Sequence, residues 1–172
     1  YLNGMGAEFR KLGPFDPDFT PPFTTVHPGT ISGGSALNIV PKNCEFEFEF
    51  RNLPADNPDE LFKRLKAHVE SELAPAMRSI DAHAGVEFAT TGDLPALCTP
   101  EDSEIARLAQ RLTGVNQLTK VSFGTEGGYY SAAGIPTVIC GPGSIEQAHK
   151  PDEFIALEQI GQCEAFMARL VA

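Results

Sequence analysis

The chain has 172 residues and a mass of 18.5 kDa, with 42% hydrophobic and 21% charged residues, the proportions of a folded globular protein and not of a disordered one. Lys and Arg number 13 against 23 Asp and Glu, a formal charge of -10, which argues against a partner built on a phosphate backbone. No apolar run approaches the ~20 residues of a membrane-spanning helix. No basic stretch leading into an apolar one opens the chain, so a cytoplasmic protein is expected, with no nucleic-acid and no membrane partner. The cysteines Cys44, Cys98, Cys140 and Cys163 form no C-x-x-C pair, which speaks against a four-cysteine zinc site, and all four are expected to be reduced.

Leu2, Met5, Phe9 and Leu12 recur at helical spacing, with Gly13 placed to end the helix. That helix starts at the first residue without a cap, and the first residue is Tyr1. The expectation is a chain cut from a longer one. Residues 13–23, rich in Pro, Phe and Asp, read as a loop, and Thr24 to Ile31 as a strand interrupted at Pro28-Gly29. From Cys44 the sequence alternates strictly. Phe46, Phe48 and Phe50 fall on one face, and Glu45, Glu47, Glu49 and Arg51 on the other, the pattern of an antiparallel strand with one wet face. Asn57-Pro58-Asp59-Glu60 combines an N-cap, an N1 proline and a Glu able to reach back to the cap. Leu61, Leu65, Val69 and Leu73 give the helix that follows one apolar stripe. Val86 to Thr90 reads as a further strand. The first part of the chain is therefore α+β, a small antiparallel sheet with helices on one face.

Residues 91–100 (TGDLPALCTP) are turn-rich, and a boundary is placed there, giving domains 1–94 and 95–172. Beyond it helices and strands alternate. A helix is expected from Thr99-Pro100 with Ile105, Leu108 and Leu112 inward, a strand from Leu118 to Phe123, a short helix over 126–133, an apolar strand from Ile135 to Cys140, and a closing helix from Leu157 to Val171. This resembles the end of an α/β sheet, with too few strands to make a sheet alone.

Four histidines are present. His68 and His83 read as solvated side chains, and His27 sits in a strand-loop where a role is open. His149 follows the apolar strand, in the loop that opens with Gly141-Pro142-Gly143. There an imidazole can ligate a metal or simply be a loop residue, and Asp152 and Glu153 can orient it. The sequence holds no G-x-S-x-G elbow, no H-E-x-x-H and no Walker loop.

Five segments carry a resemblance. They are Gly33 to Pro41 (GGSALNIVP), Phe50 to Pro54 (FRNLP), Ser122 to Gly128 (SFGTEGG), Gly134 to Gly143 (GIPTVICGPG) and Gln147 to Phe154 (QAHKPDEF). In this order they resemble the dinuclear zinc aminoacylase/carboxypeptidase family of metallopeptidases. The resemblance implies a lid, or dimerisation, domain over 1–94 and the C-terminal part of an α/β zinc-hydrolase catalytic domain over 95–172. It implies hydrolysis of a small N-acyl amino acid, zinc or cobalt with two ions per full-length subunit, and a homodimer formed through the lids. Residue by residue, His149 matches the metal ligand of the C-terminal segment. Asn38 and Arg51, thirteen positions apart, match the substrate-binding pair. Thr125 with the amides of Gly141 and Gly143 would complete a carboxylate pocket. Glu126 is either a pocket residue or an acid complementing a helix N-terminus. For Arg51, a cross-strand ion pair with the neighbouring glutamates is the structural alternative.

The family's His-x-Asp metal motif, bridging Asp, general-base Glu and lid histidine find no match in this sequence, and the lid histidine's role is not transferred to His27. The chain alone is thus expected to carry no catalytic residue, to hold no tight metal and to be inactive. Within the family, a related desuccinylase or dipeptidase is the alternative. From another class, the alternative is a catalytically dead dimerisation or binding module.

Overall fold

Phenylalanine and glutamate alternate along β2 (Cys44–Arg51), and burial follows the alternation at the base of the strand and fades toward its start. In the computed structural model, which describes residues 1–172, β2 pairs antiparallel with β1 (Thr25–Gly33). The register sets Val26 against Phe50, Pro28 against Phe48 and Ile31 against Phe46 on the apolar face. On the other face it sets Thr25 against Arg51, His27 against Glu49, Thr30 against Glu47 and Ser32 against Glu45. Gly29 is the extra residue of a bulge between Pro28 and Thr30. Proline cannot donate to a ladder, and the bulge absorbs the defect without exchanging the two faces beyond it.

The chain forms two units: Tyr1–Ala96 with Lys120–Phe123, and Leu97–Thr119 with Gly124–Ala172. In the first, α1 (Leu2–Leu12) and α2 (Pro58–His68) close on the apolar face of the hairpin. Leu2, Met5, Phe9, Leu61, Leu65 and Val69 are the buried centre, and Val26, Phe48 and Phe50 pack against it. Each of the buried side chains contributes about 1.5–3 kcal/mol by leaving water, and the half-buried ones less. Burial fades along the hairpin: Phe46 is 45% exposed, Ile31 76% and Val40, in the connecting loop, 89%. The base is anchored and the tip projects.

α2 starts as its sequence dictates, with Pro58 at N1 and the Asn57 side chain accepting from the Asp59 N–H at 2.9 Å. Glu60 does not reach back to the cap; it accepts from Lys63 at 2.6 Å. The single helix expected over 58–73 is broken. α2 gives way to a π-helical turn at Val69–Leu73 and then to α3 (Ala74–Arg78). Pro75 explains this, because it has no N–H to give and its ring crowds the preceding turn.

Arg64 of α2 forks onto Glu8 of α1, with Nη1 donating to Oε1 at 3.0 Å and Nη2 to Oε2, while Nε donates to the Tyr1 hydroxyl at 3.2 Å. His68, read from sequence as solvated, is half-buried and stacks on the Tyr1 ring with centroids 3.8 Å apart. The sequence could not pair two residues so far apart in the chain. Thr24 is the one buried polar side chain. Its hydroxyl donates to Asp56 Oδ2 and accepts from the Leu53 N–H at 2.9 Å. The amide of Asn52 donates to the carbonyls of Leu53 and Asp56, both at 3.2 Å. This polar knot pins the chain that leaves β2 to the residue that enters β1.

Over the strand expected at Val86–Thr90, Ala84, Val86 and Phe88 are half-buried in alternation, and Val86 and Phe88 reach the core. Its backbone joins no ladder, so the sheet has two strands. In place of the strand expected over 118–123, Lys120 pairs with Asp18 at 2.8 Å and Asp16 at 3.5 Å, and Ser122 donates to the Thr20 carbonyl at 3.0 Å. Side chains, not a backbone ladder, hold that segment.

The second unit is helical. α4 (Glu104–Thr113) begins after Ser103, whose hydroxyl accepts from the Ala106 N–H at 3.3 Å, and ends at Gly114 with φ 76. Ser103 is the true cap, so the helix starts later than the Thr99-Pro100 signal suggested. α5 (Gly127–Ala132) is short, and α6 (Leu157–Leu170) packs on α4. Ile135 to Cys140 is not a strand. It joins no ladder, and the Thr137 carbonyl accepts from the Thr99 hydroxyl. An extended segment becomes a strand only beside another that supplies the ladder, and one alone does not make a sheet.

Two outcomes follow for unit one. Thr24→Val strands the Asp56 carboxyl and the Leu53 N–H, and should cost about 1–3 kcal/mol in urea unfolding, with Thr24→Ser recovering most of it. The Arg64 hydrogen bond holds the Glu8 carboxyl below the ordinary glutamate range. A depressed carboxyl stabilises the fold above its unfolded value and loses that contribution as pH falls through its folded value. The gap in urea midpoint between wild type and Glu8→Gln should therefore be present at neutral pH and close as the solution is acidified below the ordinary glutamate range.

Candidate functional site

The hairpin's polar face carries Arg51 at its base. Arg51 Nε donates to Glu49 Oε1 at 2.8 Å, and the side chains are 58% and 49% exposed. The partner lies two residues away on the same strand, so the cross-strand alternative is corrected to an in-strand pair. Alternation along β2 puts residues i and i+2 on one face and so carried the signal for Glu49, which the sequence reading left among three equivalent glutamates. No hydrogen bond engages the Arg51 terminal nitrogens, and the polar knot fixes the backbone just beyond.

Asn38 lies in the loop past the last hairpin pair, Gly33 with Cys44. Seven residue steps of about 3.4 Å each separate Cys44 from Arg51. One hairpin therefore does not bring Asn38 and Arg51 together. Leu37, Ile39 and Val40 around Asn38 are all exposed.

The other candidates lie in the second unit. Thr125 Oγ1 accepts from the Gly127 N–H at 3.1 Å, which orients the entry to α5. Glu126 is the N-cap of α5, exposed, and makes no side-chain cap bond; its carbonyl accepts from the Tyr129 N–H at 3.0 Å. Gly143 has φ 108, a conformation that favours glycine, and its carbonyl accepts from Gln159 Nε2 at 3.3 Å. Gly141 is exposed with open space about it. His149 is exposed with φ 59, and Asp152 has φ 58. Left-handed backbone is uncommon outside glycine and costs energy that the surrounding loop must offset. Glu153 Oε2 accepts from the His149 backbone N–H at 3.2 Å. Glu153 thus fixes the loop and makes no hydrogen bond to the imidazole, contrary to the orienting role expected for it.

No three His, Cys, Asp or Glu side chains converge to hold a metal ion, and all four cysteines are free. A zinc site takes three or four protein ligands, so His149 alone does not fit one. A groove of about 490 Å³ runs along α4, lined by Ile105, Arg107, Leu108, Arg111 and Pro136, and one of about 330 Å³ lies between α1 and β1 beside Arg10 and Phe23. Neither includes a site residue picked from the sequence, and Ile105 and Leu108, read as inward, line the first.

Residues 3–77 match the peptidase dimerisation domain family, M20_dimer. The same hairpin and helices that bury the Phe face make up this segment, which belongs to that family. Over most of its length the chain is similar to acetylornithine deacetylases. It is 36% identical to that of Myxococcus xanthus over 157 residues, 91% of this chain and 40% of the relative. It is 31% identical to that of Pasteurella multocida over 171 residues, 99% and 43% of the two chains. With that of Photorhabdus laumondii the identity is 32% over 158 residues, 91% and 39%. The chain spans about two fifths of the length of these curated relatives.

The ligand geometry makes a direct expectation. After dialysis against zinc the purified chain should retain less than one equivalent of metal by mass spectrometry of the native protein. One tightly held equivalent that disappears with His149→Ala would contradict it.

Proposed function

We propose that this chain is the lid, residues 1–94, and the C-terminal catalytic segment, residues 95–172, of a cytoplasmic amide hydrolase of arginine biosynthesis. The enzyme would convert N-acetyl-L-ornithine and water to L-ornithine and acetate. The observation that carries the reading is the similarity to acetylornithine deacetylases on both sides of the proposed boundary, at 31% identity across 99% of the chain in one case. The shared name of these relatives weighs for acetylornithine over the substrates of a succinyl-diaminopimelate desuccinylase or a dipeptidase of the same family, and over a catalytically dead module.

In this reading Arg51 clamps the substrate α-carboxylate. The guanidinium offers a planar fork that matches two carboxylate oxygens, and its two terminal nitrogens are unengaged. Asn38 donates its amide to the acyl oxygen as negative charge develops there. Since one hairpin separates the two, Asn38 serves a different part of the site from its own Arg51. Thr125 and the backbone amides of Gly141 and Gly143 line the carboxylate pocket, with Glu126 at its rim. His149 offers one imidazole to zinc or cobalt, whose other ligands this chain does not hold. The chain alone is accordingly proposed to be inactive.

The lids pair into a homodimer. β1 and β2 each have a neighbour on one side only, and an open edge is satisfied by a second strand across a two-fold axis.

Two measurements test this. In the hydrolase that contains this chain, Arg51→Lys should lower kcat/KM for N-acetyl-L-ornithine at least ~10-fold. Kinetics unchanged by the substitution would rule the clamp out. Light scattering of the purified chain should return twice its 18.5 kDa at high micromolar concentration. A monomer throughout would count against pairing through the lid.

A further inference from the structure

From the geometry at the base of β2 we infer that Glu49 is a positioning residue for Arg51: it holds Nε and so aims the free Nη1/Nη2 edge at a ligand carboxylate. This rests on the reading of Arg51 as a carboxylate clamp.

An arginine side chain loses much rotamer freedom when it is ordered, and a ligand that must order it binds more weakly. Here the ordering is in place beforehand at three points. The ladder sets Arg51 opposite Thr25. Just beyond, Leu53 donates to Thr24 Oγ1 at 2.9 Å, and the Asn52 amide bridges the carbonyls of Leu53 and Asp56. At the far end of the side chain Glu49 Oε1 takes the Nε hydrogen at 2.8 Å.

A guanidinium has two edges able to meet a carboxylate, one through Nε and one through both terminal nitrogens. Glu49 makes its single bond through Nε, and the terminal pair has no hydrogen bond. The two-residue spacing explains the choice. Neighbours on one face of a strand bring the carboxylate to the near side of the guanidinium and leave the far side clear. Helices α1 and α2 cover the opposite face of the hairpin, so the far edge opens to solvent.

Glu49 could instead be a rival, an internal carboxylate that any ligand must displace. The two roles predict opposite orders of affinity. A positioning partner needs an acceptor for Nε but not a charge. Glu49→Gln keeps an acceptor oxygen and removes the repulsion of a second carboxylate, whereas Glu49→Ala removes the acceptor. Positioning therefore gives Gln at least as tight as wild type, and Ala weaker by about 3–10-fold. Rivalry makes both variants tighter than wild type.

The test is a titration of the 172-residue chain with N-acetyl-L-ornithine, followed by NMR. The backbone amides of residues 49–52 give affinity, and the Arg51 Nε–H resonance is the spectroscopic signature. All variants are compared at one pH and one ionic strength, with His27, opposite Glu49 in the register, left unchanged. Without ligand, the Nε–H signal should be sharp in wild type and Glu49→Gln and broadened by exchange in Glu49→Ala. With ligand, the order should be Gln at least equal to wild type, and wild type tighter than Ala.

An Nε–H signal unchanged in Glu49→Ala, or an Ala variant that binds as tightly as wild type, overturns the positioning role. Arg51→Lys binding as well as wild type, or an Arg51 signal unmoved by ligand, overturns the clamp, and Glu49's role with it. The ligand-free spectra decide the anchor and the titrations decide the clamp, so the two failures are told apart.

Discussion

What the hairpin offers to solvent depends on how its other face is buried. Phe48, Phe50 and Val26 lie against Leu2, Met5 and Phe9 of α1 and Leu61, Leu65 and Val69 at the end of α2. A two-stranded hairpin alone is marginal in water, and two amphipathic helices supply the missing stability. Because side chains alternate with period two, fixing the Phe face fixes the polar face as well. A slip of one residue would drive Glu49 and Arg51 into the helices and Phe50 into water. The bulge at Gly29 and the Thr24 knot act at this point: one shifts the register by a residue after Pro28, so that Ile31 stays on the Phe face, and the other pins the end of β2.

The same constraint separates the two candidate substrate residues. Arg51 lies at the hairpin base, between Phe50, which packs on the core, and the hydrogen bonds of Asn52 and Leu53. Asn38 lies where burial has run out, among Leu37, Ile39 and Val40, which no part of this chain covers. A cation held by an in-strand carboxylate at the base and an exposed apolar tip are different kinds of surface. The open strand edges and the tip both lie within residues 3–77, the segment that matches the dimerisation domain.

Where local chemistry decides, the sequence was legible. The Phe/Glu alternation, the Asn57-Pro58 start of α2 and Gly13 closing α1 appear as read. It was illegible where a distant partner decides. His68 is stacked because Tyr1 reaches it, and Thr24 is buried because Asp56 and Leu53 take its hydrogen bonds. Apolar runs at 86–90, 118–123 and 135–140 looked like strands because composition reports burial and β preference, not the presence of a neighbouring ladder. In the candidate site, the residue types were readable and their partners were not. Glu49 looked like one of three equal acids until the structure gave it Arg51, and Glu153 bonds the backbone of His149 instead of its ring.

Burial at the hairpin base, through the helices, fixes the polar face. Residue-resolved hydrogen exchange of the native chain tests this most directly. The ladder amides at the base, around Val26 and Phe50, should exchange only in the slow opening that also exposes α1 and α2, while protection falls steadily toward Gly33 and Cys44. Base amides that exchange as fast as those at the tip while the helices stay protected would contradict it, because the hairpin would then open without its helices.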